Sequence, residues 1–363
     1  MVIKTDRSYD RRTFLKLAGA TAAIAACGGA ATAPSAAPTA STAASAAATA
    51  KPVTGTLSVY SALNESTNND FFAAFKKAYP GVTINVLPLA AAGELQTRIE
   101  TEKASPKADI FIGGSSEFHD PLGKEGLLEQ YNSPNAKDID PKFKDANGYW
   151  VGWYTGIFGF ISNNSRLSEV PGKPATWDDL LDPKWKGKLI LPDPVKTGGG
   201  YIFMATQIFR FNKDEAKAMD FMKKIHANIA QYVPTSPGAL TLIDQGQFVG
   251  CPNWAHDILT EKSKNNPIDL NIPTDTGFEV GAISIIKGTK SLDAAKALVD
   301  WSLTKEAGDL NVKLSNRGST RADVAPAPGS PKLSDVKLVN YDRQWATDNK
   351  ARILKLWQTT VGL

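Results

Sequence analysis

The sequence predicts an α/β protein of two lobes joined by two crossing strands, and three observations carry that prediction. Strand-like and helix-like apolar periodicities alternate from residue 55 onward, with glycine at strand ends. Two glycine-interrupted apolar runs, "GWYTGIFGFISNN" at 152–164 and "GFEVGAISIIKGT" at 277–289, read as the crossing strands. Between them lies a segment of domain size with its own helices. The expected division is residues 54–157 with 277–315 for the first lobe and 158–276 for the second, with 316–363 as C-terminal helices packing back on the lobes.

The chain has 363 residues, 42% hydrophobic and 21% charged, enough to bury one large core or two moderate ones. Its formal charge of +4 is concentrated at the start: residues 1–26 set Lys4, Arg7, Arg11, Arg12 and Lys16 against Asp6 and Asp10, a net +3. The +1 left for the rest excludes the concentrated basic face that a nucleic-acid binder needs. "DRRTFLKLAGATAAIAAC" puts the twin arginines Arg11 and Arg12 before an apolar run, Phe14 to Ala26, too short to span a bilayer. It looks like a Tat-type export signal. The ending "IAAC" resembles the lipobox of bacterial lipoproteins, which makes Cys27 the expected acylated N-terminus; an ordinary signal peptide with a chance cysteine is the alternative. Residues 28–53, almost wholly Ala, Thr, Ser, Pro and Gly before Lys51, cannot bury enough surface to order themselves and read as a tether. With Cys27 acylated, Cys251 is the remaining thiol, expected to pack in the core and to form no disulfide.

Folded structure begins at "GTLSVYSAL", residues 55–63, a short strand. In "NNDFFAAFKKAYPGVTINVLPL", Phe71, Phe72, Phe75 and Tyr79 recur at helical spacing until Pro80 and Gly81 stop the helix and a second β run follows. A further helix over "GELQTRIETEKASP" leads into the buried-looking strand "ADIFIGG", 108–114. Near the C-terminus, "SLDAAKALVDWSLTKEAGDL" and "NYDRQWATDNKARILKLWQTT" each read as an amphipathic helix.

Six blocks carry a family resemblance: "LSVYSAL", "SPKADIFIGGSSEF", "GWYTGIFGFISN", "TWDDLLDPKWKGKLILPDP", "FEVGAISIIKGTKSLDAAKALVDWSL" and "NRGSTRADV". Between about Thr54 and Asp323 the chain resembles the extracellular solute-binding proteins of bacterial ABC importers, nearest to the ferric-iron, 2-aminoethylphosphonate and sugar-phosphate binders. The resemblance implies a type II periplasmic-binding fold closing on a ligand, with a membrane permease as partner; a monomer with no cofactor and no catalysis is expected, and the lipid anchor through Cys27 is expected from the lipobox.

In "PDPVKTGGGYIF" a helix starting near Gly200 would leave free N–H groups at its positive end, an anion cradle that Gly198 and Gly199 keep open. Thr197 adds a hydroxyl and Lys196 a charge. A tight turn that needs glycine for its dihedrals is the plainer reading. Ser61, Ser115, Ser116 and Ser236 follow strands in the same manner, each also explicable as a helix N-cap. The resemblance turns these loops, with Thr155, toward one anionic ligand. In "NWAHD", residues 253–257, the ferric-binding relatives carry adjacent tyrosines; here stand Asn253, Trp254, Ala255, His256 and Asp257, which weakens an iron reading. With Glu279, these residues resemble the sugar-phosphate branch, where Asn253, His256, Asp257 and Glu279 would bond hydroxyls. Asp257 could instead cap a helix and His256 be structural, while Trp254 fits core or cleft. Trp150, Trp153 and Tyr154 read as core and hinge packing, and Arg317 and Arg321 are left outside the site. Three histidines without helical pairing, and no G-x-S-x-G elbow, give no metal or nucleophile motif. The expected function is capture of a phosphorylated sugar or organophosphonate; a ferric-iron binder and a periplasmic phosphoester hydrolase are the alternatives.

Overall fold

The computed structural model describes residues 52–89 and 92–363. The export signal, Cys27 and all but the last two residues of the tether lie outside them. In chain order the elements are β1 (Gly55–Ser61), α1 (Glu65–Ala78), β2 (Val82–Pro88), α2 (Ala92–Thr101), β3 (Ile110–Ser115), α3 (Asp120–Lys124), β4 (Val151–Asn163), β5 (Leu189–Pro192), α4 (Gly198–Arg210) and α5 (Glu215–His226). There follow β6 (Ile229–Val233), α6 (Ser236–Asp244), β7 (Gly250–Trp254), α7 (Ala255–Lys262), β8 (Ile268–Asn271), β9 (Phe278–Ile285), α8 (Leu292–Ser302), α9 (Lys305–Ser315), β10 (Gly318–Ser319) and α10 (Arg343–Val361).

Strand order β2-β1-β3-β9-β4-β7-β5-β6 shows how two lobes share one strand. β1 pairs in parallel with β2 and β3, as a β-α-β unit requires, and β3 continues antiparallel to β9. The first part of β4, Val151 to Ile157, lies antiparallel to β9. From Phe158 onward the same strand changes partners to β7 and β8. The return crossing is at Gly277, whose carbonyl accepts from Phe158 N at 3.0 Å. These crossings put both lobes on one hinge.

Each lobe has its own aromatic core. In α1 the spacing of Phe71, Phe72 and Phe75 buries all three rings; Phe71 lies 4.8 Å from both Trp153 and Trp301. Burying each such ring contributes about 2 kcal/mol. The second lobe closes over Phe158, Trp177 and Phe203, with the Trp177 and Phe203 rings 5.2 Å apart. Cys251 is free and buried among Ile161, Ile190 and Ile258.

Two C-terminal expectations need correction. "SLDAAKALVDWSLTKEAGDL" forms two helices, because Thr304 caps α9 by accepting from Ala307 N at 3.2 Å. Residues 316–342 contain no α-helix: β10 pairs with β4, and Pro326, Pro328 and Pro331 deny the stretch helical hydrogen bonds. The single C-terminal helix, α10, buries Ala346, Ile353 and Trp357 in the core of the second lobe. Its first half also reaches the other lobe, where Arg343 pairs with Asp120 and Lys124 with Asp348.

Candidate functional site

Between the lobes lies a cleft of about 1640 Å³. One end is built on the start of α4. Thr197 is the N-cap, its Oγ1 accepting from Gly200 N at 2.9 Å and donating to Asp193 O at 2.9 Å. The N–H groups of Gly198 and Gly199 find no acceptor among the described residues, so two donors at the positive end of a 13-residue helix stay available.

The three glycines have three different reasons. A Cβ on Gly200 would collide with the main chain at Pro192 and Asp193, a packing requirement of the turn. A Cβ on Gly199 would lie 3.0 Å from Ser236 Oγ and 3.2 Å from the Trp254 indole nitrogen, so this glycine admits two polar atoms to the helix start. Gly198 meets only the edge of Phe118, at 3.9 Å. At the start of α6, Thr235 is the cap for Gly238 N at 3.1 Å, which leaves the Ser236 hydroxyl uncommitted.

The other end is made of ionisable side chains from β4, β9, α7 and the turn after α9. Tyr154 accepts from Gly114 N at 3.1 Å and its ring lies 5.1 Å under the Arg317 guanidinium. Arg317 is 8% exposed, and its Nε and Nη1 have no hydrogen-bond partner among the described residues. Burial pushes the Glu279 carboxyl up to about 7, Arg317 opposing and Asp257 and Glu117 adding to the rise. Burial raises Asp257 as well, again opposed by Arg317. His256 is held well below its usual range by burial and then by Arg317, so its imidazole is neutral. Among the described residues both its ring nitrogens lack a hydrogen bond, with Nε2 3.5 Å from Asp257 Oδ1. A neutral imidazole, two carboxyls and a guanidinium together offer donors and acceptors suited to hydroxyl groups.

Of the residues singled out in the sequence, Ser115, Thr197, Gly198, Gly199, Ser236, His256, Asp257 and Glu279 line this cleft. The rest are placed elsewhere or otherwise engaged. Ser61 Oγ donates to Asn68 Oδ1 at 2.6 Å and accepts from Leu63 N at 3.2 Å, fixing the turn into α1. Ser116 is fully buried outside the cleft with its hydroxyl unpartnered. Thr155 points to the opposite side of β4 from Tyr154, into a separate cavity of about 910 Å³ behind the crossing strands. Asn253 bonds Ser236 O at 3.0 Å and Trp254 N at 2.8 Å, so it shapes the site from behind. Thr197 lines the cleft, but its hydroxyl is spent on the cap. Lys196 also lines the cleft, its ammonium 3.7 Å from Asp193.

Arg317, Trp254, Tyr154 and Lys350 line the cleft without having been assigned to it. Only burial separates Arg317 from its neighbour Arg321, which pairs with Asp323 at 2.8 Å at the surface. Nothing in an amphipathic helix pattern marks Lys350.

Two α/β lobes on a shared hinge, closing over a polar cleft at strand ends and helix starts, define a solute-binding protein of the type II periplasmic fold. The chain belongs to the bacterial extracellular solute-binding proteins, whose family model matches residues 105–343. It is 32% identical over 285 residues to an uncharacterized protein of Haemophilus influenzae, covering 75% of this chain and 81% of that one. A Salmonella typhimurium protein named as a candidate 2-aminoethylphosphonate-binding periplasmic protein is 27% identical over 78% of this chain and 84% of its own. The solved structure of the periplasmic binding protein AfuA from Actinobacillus pleuropneumoniae, with exogenous fructose-6-phosphate bound, matches with a TM-score of 0.78 at 31% identity. It covers 85% of this chain and 99% of that one. The chain is thus an exported, periplasmic solute-binding component of an ABC importer, a class that binds a small solute and meets a membrane permease.

Proposed function

We propose that this protein captures a small solute with a phosphate or phosphonate at one end and hydroxyls at the other, a phosphorylated sugar before an aminoalkylphosphonate. The observation that carries this is the polarity of the cleft: free amides of Gly198 and Gly199 face a cluster of buried Glu279, His256 and Arg317 with the half-buried Asp257 across it. An oxyanion suits the helix start. Arg317 and the raised Glu279 keep the other end near neutrality, which favours hydroxyls over an ammonium group. The ligand bridges the lobes and so stabilises the closed state, and no bond is made or broken.

Among the described residues no group of three or more His, Cys, Asp or Glu side chains is arranged to hold a metal ion, which does not favour the ferric reading. The His256 ring nitrogens hydrogen-bond to no hydroxyl or thiol among the described residues, so nothing there supports a hydrolase. Anchoring through Cys27 is part of the proposal and rests on the sequence. Exchange of Cys27→Ser should release the protein from membranes, and unchanged detergent partitioning would remove the anchor.

The test is a thermal-shift panel on the protein with fructose 6-phosphate, 2-aminoethylphosphonate, fructose and ferric citrate. At a hundredfold excess over Kd a true ligand adds about 2.7 kcal/mol of stability. Stabilisation by fructose or ferric citrate alone would overturn the reading, and release of inorganic phosphate from the ester would revive the hydrolase.

A further inference from the structure

We propose that the anion subsite is completed by two side chains, the ammonium of Lys350 from α10 and the indole N–H of Trp254 from β7. This rests on the phosphate- or phosphonate-binding reading above and adds two side chains to the main-chain donors of the glycine motif.

Trp254 is 8% exposed, yet its Nε1–H donates to nothing among the described residues. It is held by packing: its ring stands at 90° to Phe158 with centroids 5.0 Å apart, and lies 5.9 Å from the His256 ring in a stacked arrangement. So fixed, the indole nitrogen sits 3.2 Å from the position a Gly199 Cβ would take, beside Ser236 Oγ. An indole N–H held without a protein acceptor at the cleft wall, beside a helix start, is complementary to an anion.

Lys350 comes from outside the two sheets. Its Nζ lies 4.1 Å from the centroid of Phe118 and 5.3 Å from that of Tyr201, and makes no salt bridge or hydrogen bond among the described residues. The Phe118 ring it covers is the one that borders Gly198. Burial lowers its pKa, with Glu117 opposing. Two cation–π contacts replace only part of the lost hydration. The positive end of α4 beside it is a second positive feature, and the two repel until an anion sits between them. α10 is clamped for this role: Ile353 and Trp357 are fixed in one lobe's core while Arg343 and Asp348 pair with Asp120 and Lys124 of the other. Gly198 N, Gly199 N, Ser236 Oγ, Trp254 Nε1 and Lys350 Nζ then surround one tetrahedral oxyanion.

Calorimetric titration of fructose 6-phosphate, inorganic phosphate and fructose into the wild type, Lys350→Met, Lys350→Gln and Trp254→Phe tests the proposal. Methionine keeps the aliphatic stem on Phe118, and phenylalanine keeps most of the packing. The expected result is a ten- to hundredfold loss of fructose 6-phosphate affinity in both Lys350 variants. Their loss should come with a shallower salt dependence, and Trp254→Phe should lose about fivefold. Whatever affinity fructose shows should not change, and weak competition by inorganic phosphate should decline in parallel. Variants within twofold of a wild type that binds the ester would overturn this subsite and leave the proposed function standing. A wild type that binds no phosphate- or phosphonate-bearing solute would overturn both.

Discussion

The two ends of the cleft achieve polarity by opposite means. At the α4 end the donors are mostly main chain, set by the helix and by the caps Thr197 and Thr235, with no proton to lose. At the β4–β9 end they are ionisable side chains whose charges offset one another in a buried cluster. The first end is fixed by backbone geometry and the second by an electrostatic balance. Substitutions of the glycines at the first should therefore act through shape, and substitutions at the second through charge.

The largest expected effect breaks the balance. Arg317→Met leaves the buried Glu279 and the half-buried Asp257 without their cation and should destabilise the protein by about 3 kcal/mol, read as a lower urea midpoint. Adding Glu279→Gln should recover part of the loss; an unchanged midpoint in the single variant would mean that the cluster is not coupled. Next come the glycines. Gly200→Ala should cost about 1–3 kcal/mol of stability, because its Cβ meets main-chain atoms. Gly199→Ala should leave the melting temperature nearly unchanged and weaken fructose 6-phosphate roughly tenfold by crowding Ser236 and Trp254, since one such contact is worth about 1–3 kcal/mol. Equal behaviour of the two variants would erase the distinction between turn and cradle. Smaller again, Glu279→Gln should reduce affinity for the sugar ester about tenfold, the scale of one charged hydrogen bond. It should leave inorganic phosphate unaffected, and a parallel loss for both would show that the ends are not separate.

The smallest effect is a pH dependence. Glu279 titrates at about 7 in the folded protein, above its ordinary 4.5. The folded state thus holds this proton more tightly than the unfolded chain. Below 4.5 both states are protonated and the group contributes no difference; from 4.5 to 7 stability falls as pH rises, and above 7 the loss is complete. Relative to Glu279→Gln, the ligand-free wild type should lose roughly a few degrees of melting temperature between pH 5 and pH 8. A difference that stays flat would place the carboxyl in water.

Much of this could be read from the chain. Phe71, Phe72 and Phe75 announce α1 by their spacing, and the glycine-interrupted runs announce the shared strand, because helical and pleated periods follow directly from local backbone geometry. The glycine triplet marks a helix start at the cleft for the same local reason. What the sequence left open was which way each polar group faces. Ser61 and Thr197 look free in a string of letters, yet both hydroxyls are consumed within their own turns, Ser61 by the Asn68 side chain and Leu63 N and Thr197 by Asp193 O and Gly200 N. Thr155 and Tyr154 are adjacent and face opposite sides of one strand, so only the hinge's placement decides which of them meets a ligand.

The sequence by itself determined the two-lobed α/β fold, the crossing strands and a cluster of donors after the strands, all consequences of short-range periodicity and turn chemistry. Tertiary structure alone decided that Arg317 is buried while Arg321 is not, that Trp254 aims its indole at Gly199, and that Lys350 stands over Phe118. Those facts depend on segments far apart in the chain, as Lys350 is from Tyr201 and Phe118, brought together at distances set by core packing. Burial and charge balance are properties of the assembled volume, and no local stretch of the chain encodes them.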